Sequence, residues 1–264
     1  MGKKQGKQPP LWVSQNFLTS KKIISRLINL AGITKNDYVI EIGPGKGHIT
    51  DILLKKCHTL SAIEVDEKLH GKLAVKYADA EKIKLYNQDF LKWKLPESGK
   101  YKVFANIPFA ITSAIIKKLT QSKNPPQDAW LVMEKGAAKR FCGKPADTLQ
   151  SLQLKPFFDL NIVYHFRGDD FHPIPGVDVV LLHISQKQQP DILSAEQRLY
   201  YSFVSHGIKF GLLGKQALLT KRQVSTALRL AKLNPIGASG EILYIQWLCL
   251  FRCWLCYTGN GRKG

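Results

Sequence analysis

A Rossmann-like α/β fold followed by a small all-helical domain is the architecture this sequence predicts, and three observations carry the prediction. Short apolar runs of strand length alternate with amphipathic stretches of helical period between Tyr38 and Ile184, the pattern of a largely parallel sheet covered on both faces. The first of these runs leads into a glycine-rich turn, Glu41-Ile42-Gly43-Pro44-Gly45-Lys46-Gly47, which lets backbone approach a ligand closely at the carboxyl edge of such a sheet. Beyond Pro190 only helical periodicity remains. At 264 residues, 44% of them hydrophobic, the chain can fill one full α/β core and a smaller second one.

Residues 1–10 are polar, lysine-rich and end in Pro-Pro, the composition of a disordered basic tail. Gln15-Asn16-Phe17-Leu18 comes next, and Thr19 or Ser20 can cap a helix whose apolar positions run Ile23, Ile24, Leu27, Ile28, Leu30. Asp37 to Ile42 reads as the first strand, with a helix from His48 to Lys56 after the glycine turn. The turn spacing is Gly-x-Gly-x-Gly, with His48 where nicotinamide enzymes carry their third glycine, which favours another adenosine cofactor. A second strand, Leu60 to Ile63, delivers Glu64 to its tip, where a ribose diol would lie.

The third strand, Ile83 to Tyr86, is followed by Asp89, placed to accept from an adenine amine or to close an Asx turn. The fourth, Val103-Phe104-Ala105, runs into Asn106-Ile107-Pro108-Phe109, ahead of a helix from Ile111 to Leu119. An amide, a fixed turn and an aromatic ring suit a planar base and its exocyclic amine. Strands five to seven are read at Ala129–Met133, Leu160–Phe166 and Val177–Ile184, the last two flanking Phe171-His172-Pro173-Ile174-Pro175. These strand-to-loop junctions describe one cleft. Helices follow at Ala195–Val204, from Lys215 or Thr220 to Ala231, and at Glu241–Tyr257. The domains are therefore drawn at 11–187 for the α/β part and 191–264 for the helical part.

Thirty-nine Lys and Arg against 20 Asp and Glu leave a formal charge of +19, the footprint of a chain that tracks a polyanion. The excess sits at the flanks: Met1–Asn36 and Gln197–Gly240 hold seven basic residues each and no acid. Five cysteines without framework spacing point to free thiols in a reducing compartment, the cytoplasm. Cys249, Cys253 and Cys256 fall on one helix face with no histidine nearby, so core packing is expected there and no metal site. The apolar run Ile242–Tyr257 is broken by Gln246 and Arg252 and is shorter than the ~20 residues of a bilayer span.

Taken in this order and spacing, Gln15-Asn16-Phe17-Leu18, the glycine turn, Glu64, Asp89, Asn106-Ile107-Pro108-Phe109 and Phe171-His172-Pro173-Ile174-Pro175-Gly176-Val177 resemble the adenosylmethionine-dependent rRNA adenine N6-methyltransferases. Within that family the chain is most similar to the erythromycin-resistance (Erm) group, with the small-subunit rRNA adenine dimethylases as near relatives. The resemblance implies a seven-stranded methyltransferase sheet, S-adenosyl-L-methionine as cofactor, and rRNA as partner, here 23S rRNA before the ribosome is fully assembled. A monomeric enzyme conferring macrolide-lincosamide-streptogramin resistance is the expectation; a small-subunit dimethylase or a non-catalytic nucleic-acid-binding factor on the same scaffold are the alternatives. Residue by residue, it implies that Gln15, Asn16 and Leu18 line the cofactor pocket and that Gly43 and Gly45 pass the methionyl and ribose portion. Glu64 would take the ribose hydroxyls, Asp89 the cofactor's adenine, and Asn106 both cofactor and target base. Asn106 and the Ile107 carbonyl would orient the target amine and Pro108 would set the turn, while Phe109 and Phe171 would stack on the base. Phe109 stands where many members carry Tyr, and Val179 where a Ser is common.

Overall fold

The computed structural model describes residues 16–213, 215–237 and 240–258. The basic tail at 1–10 and Gln15 lie outside the described residues. By Cα packing the chain divides into two compact units: the described residues up to Ala138 with Asn161–Gln186, and Lys139–Leu160 with the described residues from Lys187 onward.

The first unit is built on a seven-stranded sheet. Its strands are β2 (Tyr38–Ile42), β3 (Thr59–Glu64), β4 (Ile83–Asn87), β5 (Lys102–Asn106), β6 (Asp128–Glu134), β7 (Phe158–His165) and β9 (Val179–Gln186), in the order β4-β3-β2-β5-β6-β9-β7. Strands β2 to β6 are mutually parallel and β9 runs antiparallel to β6. Val39, Ile40, Glu41 and Ile42 are all buried, as expected for a central strand covered on both faces. From β2 the chain steps out through β3 and β4, then returns to lay β5 on the other side of β2. That reversal opens a crevice at the carboxyl ends of β2 and β5, where ligands bind in open α/β sheets.

Helix α1 (Lys21–Leu30) is capped by Ser20, whose side chain accepts from the Ile23 N–H. It buries Ile24, Leu27 and Ile28 in one apolar cluster with Val39, Leu60, Phe104 and Trp130, to which Leu53 of α2 (Thr50–Lys56) also belongs. The helix expected from His48 thus begins two residues later. Helix α3 (Glu67–Lys76) starts on Asp66, which accepts from the Leu69 N–H, and α4 (Thr112–Thr120) follows one 3-10 turn, Phe109–Ile111. A two-residue ladder completes the unit: β1 (Phe17–Leu18) pairs antiparallel with β8 (Phe171–His172), and the Thr19 N–H donates to the Asp170 carbonyl at 3.1 Å.

The second unit is helical. Tyr200 and Phe203 of α7 (Gln197–Phe210), Val224 and Leu228 of α8 (Lys221–Leu230), and Trp247, Leu250, Phe251 and Leu255 of α9 (Tyr244–Thr258) form its apolar core. A Cβ at Gly207 would stand 2.6 Å from the Trp247 ring, so glycine lets α7 and α9 close on each other. Leu152 of α6 (Leu149–Leu154) is fully buried in the same cluster, which places the segment before β7 with the helices. Gln246, read as a polar interruption, is itself buried: its amide carbonyl accepts from the Leu243 N–H and its NH2 donates to the Asn234 carbonyl, both at 2.8 Å. Of the cysteine face, Cys249 and Cys253 are half-buried and pack against this core as expected, whereas Cys256 is exposed. The buried stripe of α9 runs through Trp247, Leu250, Phe251 and Leu255 instead, since aromatic bulk fills the space against α7. Among the described residues no helix is long and apolar enough to cross a membrane and no cluster could hold a metal ion.

Candidate functional site

The crevice between the ends of β2 and β5 is a cleft of about 440 Å³ measured to its open mouth, lined by Asn16, Phe17, Gly43, Asn106, Ile107, Pro108 and Phe109. Ile42 stands level with Ala105 in the sheet, so Gly43 and Asn106 leave adjacent strands side by side. The Asn106 NH2 donates to the Asn16 carbonyl at 2.8 Å. That bond fixes the amide's orientation and turns its carbonyl away from Asn16. The Ile107 N–H is held by the Val132 carbonyl at 3.2 Å, and Pro108 is extended at φ −62°, ψ 127°. Phe109 follows, half-buried, with its ring at the cleft wall.

The glycine turn is specific in its demands. Gly43, Gly45 and Gly47 all have positive φ, a region other L-residues adopt only with strain. An added Cβ at Gly43 would meet nothing within 4 Å, whereas at Gly45 it would stand 2.6 Å from the Phe17 ring. Gly43 therefore leaves open space on the cleft side, and Gly45 seats Phe17. Both oxygens of the buried Glu64 carboxylate are engaged, Oε2 accepting from the Gly45 N–H at 3.0 Å and Oε1 from the Asp66 N–H at 2.9 Å. Burial raises its pKa, and the backbone donors oppose that. Asp89 accepts from the Leu91 N–H at 2.8 Å through Oδ1, the Asx turn expected of it, and is half-buried just past β4.

Under the turn lies a group the sequence did not flag. Glu41 is 1% exposed; its Oε2 accepts from the Thr50 hydroxyl at 2.8 Å while Oε1 has no partner. Burial pushes its carboxyl up to about 8, with Glu64 and Asp51 adding to the rise.

Over residues 12–210 the chain matches the ribosomal RNA adenine dimethylase family. It belongs to that family. Curated relatives named rRNA adenine N-6-methyltransferase include one from Lysinibacillus sphaericus, 33% identical over 93% of this chain and 97% of its own length. Another, from Limosilactobacillus reuteri, is 32% identical over 93% of this chain and 96% of its own. The crystal structure of the 23S rRNA methyltransferase ErmE superposes with a TM-score of 0.80 at 26% identity, over 90% of this chain and 99% of that one. A dimethyladenosine transferase from Plasmodium falciparum shares the fold, with a TM-score of 0.65 at 21% identity over 94% of this chain and 90% of its own.

In this member of the family the structure brings Asn16, Gly43, Asn106, Ile107, Pro108 and Phe109 to one cleft; Gly45, Glu64 and Asp89 are not among its lining residues, and Leu18 and Phe171 are turned into the core. Phe171 is 3% exposed and packs edge-on against Phe166 at 5.2 Å between centroids; it sits in the apolar core rather than on the cleft wall. Leu18 is 2% exposed and belongs to the same core. The reason is the pleat: successive residues of an extended strand face opposite ways, so where Phe17 faces the cleft Leu18 cannot. Phe17 was the residue missed, although strand alternation within Asn16-Phe17-Leu18 was a signal that could have found it.

Proposed function

We propose that this chain transfers a methyl group from S-adenosyl-L-methionine to N6 of an adenine in 23S rRNA, and that the modification confers macrolide-lincosamide-streptogramin resistance. The observation that carries the reading is the Asn106 amide, anchored through its NH2 by Asn16 so that its carbonyl is presented beside Gly43 and Phe109. The residues present suit the cofactor. Gly43 offers a cradle that any Cβ would narrow, Glu64 places a buried carboxylate at the second strand tip for a diol, and Asp89 retains Oδ2 as an acceptor for an adenine amine. When bound, S-adenosylmethionine supplies a methyl already activated on a sulfonium.

The remaining difficulty is the nucleophile, whose N6 lone pair is delocalised into the adenine ring. The Asn106 carbonyl and the Ile107 main-chain carbonyl accept its two N–H groups, favour a pyramidal nitrogen and aim the lone pair. Pro108 sets the turn that brings those acceptors together. Phe109 stacks on the base, and Phe171 supports the site from the core beneath. No strong base is required, since the methylated nitrogen is acidic enough to release its proton to water; the exposed His172 has no assigned step.

Such a base must be turned out of its stack to enter the cleft, which favours free 23S rRNA before the subunit is complete. The acid-free stretch Gln197–Gly240 supports a phosphate-tracking role for the helical domain, drawn at 191–264. A cytoplasmic location fits five cysteines without framework spacing, and the enzyme is taken to act as a monomer. Expression in a macrolide-sensitive bacterium, with primer extension along its rRNA, is the test. Resistance with a stop in the peptidyl-transferase loop is expected; a stop near the small-subunit 3′ end, or none, overturns the proposal.

A further inference from the structure

Resting on the rRNA reading above, we propose that Lys46 holds an RNA phosphate beside the adenosine that enters the cleft, on the glycine-turn side of its mouth. Lys46 is exposed between Gly45 and Gly47, and its ammonium stands 4.9 Å over the Phe17 ring. That ring lines the cleft and is seated on Gly45, where no Cβ fits. The charge is therefore fixed at the rim, opposite in sequence and strand to the Asn106–Phe109 wall.

Lys46 is left without a counter-ion among the described residues, where other lysines of the unit are paired. Among the described residues neither Lys46 nor Lys21 forms an ion pair, whereas Lys76 is held by Asp51 at 2.8 Å, and Lys102 and Lys135 are held by Asp37 and Asp178. His48 registers this charge. Burial and then the ammonium groups of Lys76, Lys46 and Lys21 keep its imidazole below the usual range, against the opposing pull of Asp51. An unpaired lysine held over the Phe17 ring at the edge of the cleft matches a sugar–phosphate chain passing over it. Turning a nucleotide out of its stack rotates it about its backbone, and lysine contacts to phosphate fix register without reading sequence.

Each phosphate neutralised by a cation releases condensed counterions, so one lost contact reduces the slope of log K against log salt by about 0.7–0.9. A transcribed 23S rRNA fragment containing the peptidyl-transferase loop is titrated with full-length parent, Lys46→Ala, Lys46→Arg and, as a control, Lys82→Ala, an exposed lysine just ahead of β4 at the amino edge of the sheet, across a range of NaCl. S-Adenosylmethionine affinity is measured in parallel by calorimetry. For Lys46→Ala the expected result is a slope shallower by about 0.7–0.9, RNA affinity reduced about fivefold at ~0.1 M salt, and cofactor affinity unchanged. Lys46→Arg and Lys82→Ala should track the parent. An unchanged slope overturns the proposal. So does a loss of cofactor affinity as large as the loss for RNA, which would assign the ammonium to the methionyl carboxylate. A parent that binds no RNA overturns the rRNA reading as well, which separates that failure from one confined to Lys46.

Discussion

Replacing Glu41 by Gln should flatten the dependence of folding stability on pH. In the native state the carboxyl is fully enclosed, its Oε1 without a donor, and its pKa rises from the ordinary 4.5 to about 8. An acid whose folded-state pKa is raised holds its proton more tightly when folded. Stability is then full below about pH 4.5, falls as pH rises, and levels off above about pH 8. At about 1.4 kcal/mol per tenfold change in proton affinity, the loss by about pH 9 has an upper bound of roughly 5 kcal/mol. The glutamine keeps the acceptor for the Thr50 hydroxyl and puts an NH2 where Oε1 has no partner, a fixed penalty of about 1–3 kcal/mol independent of pH. Urea denaturation from about pH 5 to about pH 9 separates the two effects. The parent should lose stability across the range; the variant should begin lower and lose much less, with a residual slope from the raised pKa of Glu64. Parallel profiles would refute the reasoning, because they would mean that Glu41 does not titrate between its unfolded and folded values.

Three further outcomes follow from the cleft. Asn106→Ala should lower single-turnover methyl transfer by about 10²–10³-fold, the scale of one lost transition-state contact, with the fold retained and the melting temperature lowered by only a few degrees for the lost bond to Asn16; equal rates would dismiss the amide. Phe109→Ala should reduce kcat/KM by roughly 5- to 150-fold, the equivalent of about 1–3 kcal/mol of stacking, whereas Phe109→Tyr should stay near the parent, and the reverse order would exclude stacking. Gly43→Ala carries only the strain of φ +66°, about 1–2 kcal/mol, while Gly45→Ala adds a collision with Phe17, so melting temperatures should fall in the order parent, Gly43→Ala, Gly45→Ala.

The sheet was legible because strands covered on both faces must be apolar throughout, and the runs around Val39, Leu60, Phe104 and Leu131 could serve as little else. The cleft was legible for a related reason: strand ends converge on one edge, so Gly43 and Asn106 leave β2 and β5 side by side. What sequence order could not convey was which face each neighbour takes and what meets it. The Asn106–Asn16 bond joins residues 90 positions apart. Phe171 looked like a loop aromatic offered to a ligand, yet its pairing opposite Leu18 turns it into the core. Glu41 sits among apolar strand residues, where only the coverage by α2 reveals that it is enclosed. In α9 the helical period predicted a single buried face, but the Trp247 ring against Gly207 selects the face, and it leaves Cys256 outside.

The short ladder between β1 and β8 bears on when the protein becomes competent as it is made. Asn16, which orients the Asn106 amide, is adjacent to a strand whose only sheet partner is Phe171–His172, among the described residues. During synthesis the glycine turn and the fourth strand leave the ribosome long before that partner exists, so the amide has no fixed orientation in the nascent chain. The ladder can form only once residue 172 has emerged and Phe17–Leu18 can pair with it. An enzyme whose proposed target is the RNA of the machine that makes it would thus lack this anchor until at least residue 172 has been made.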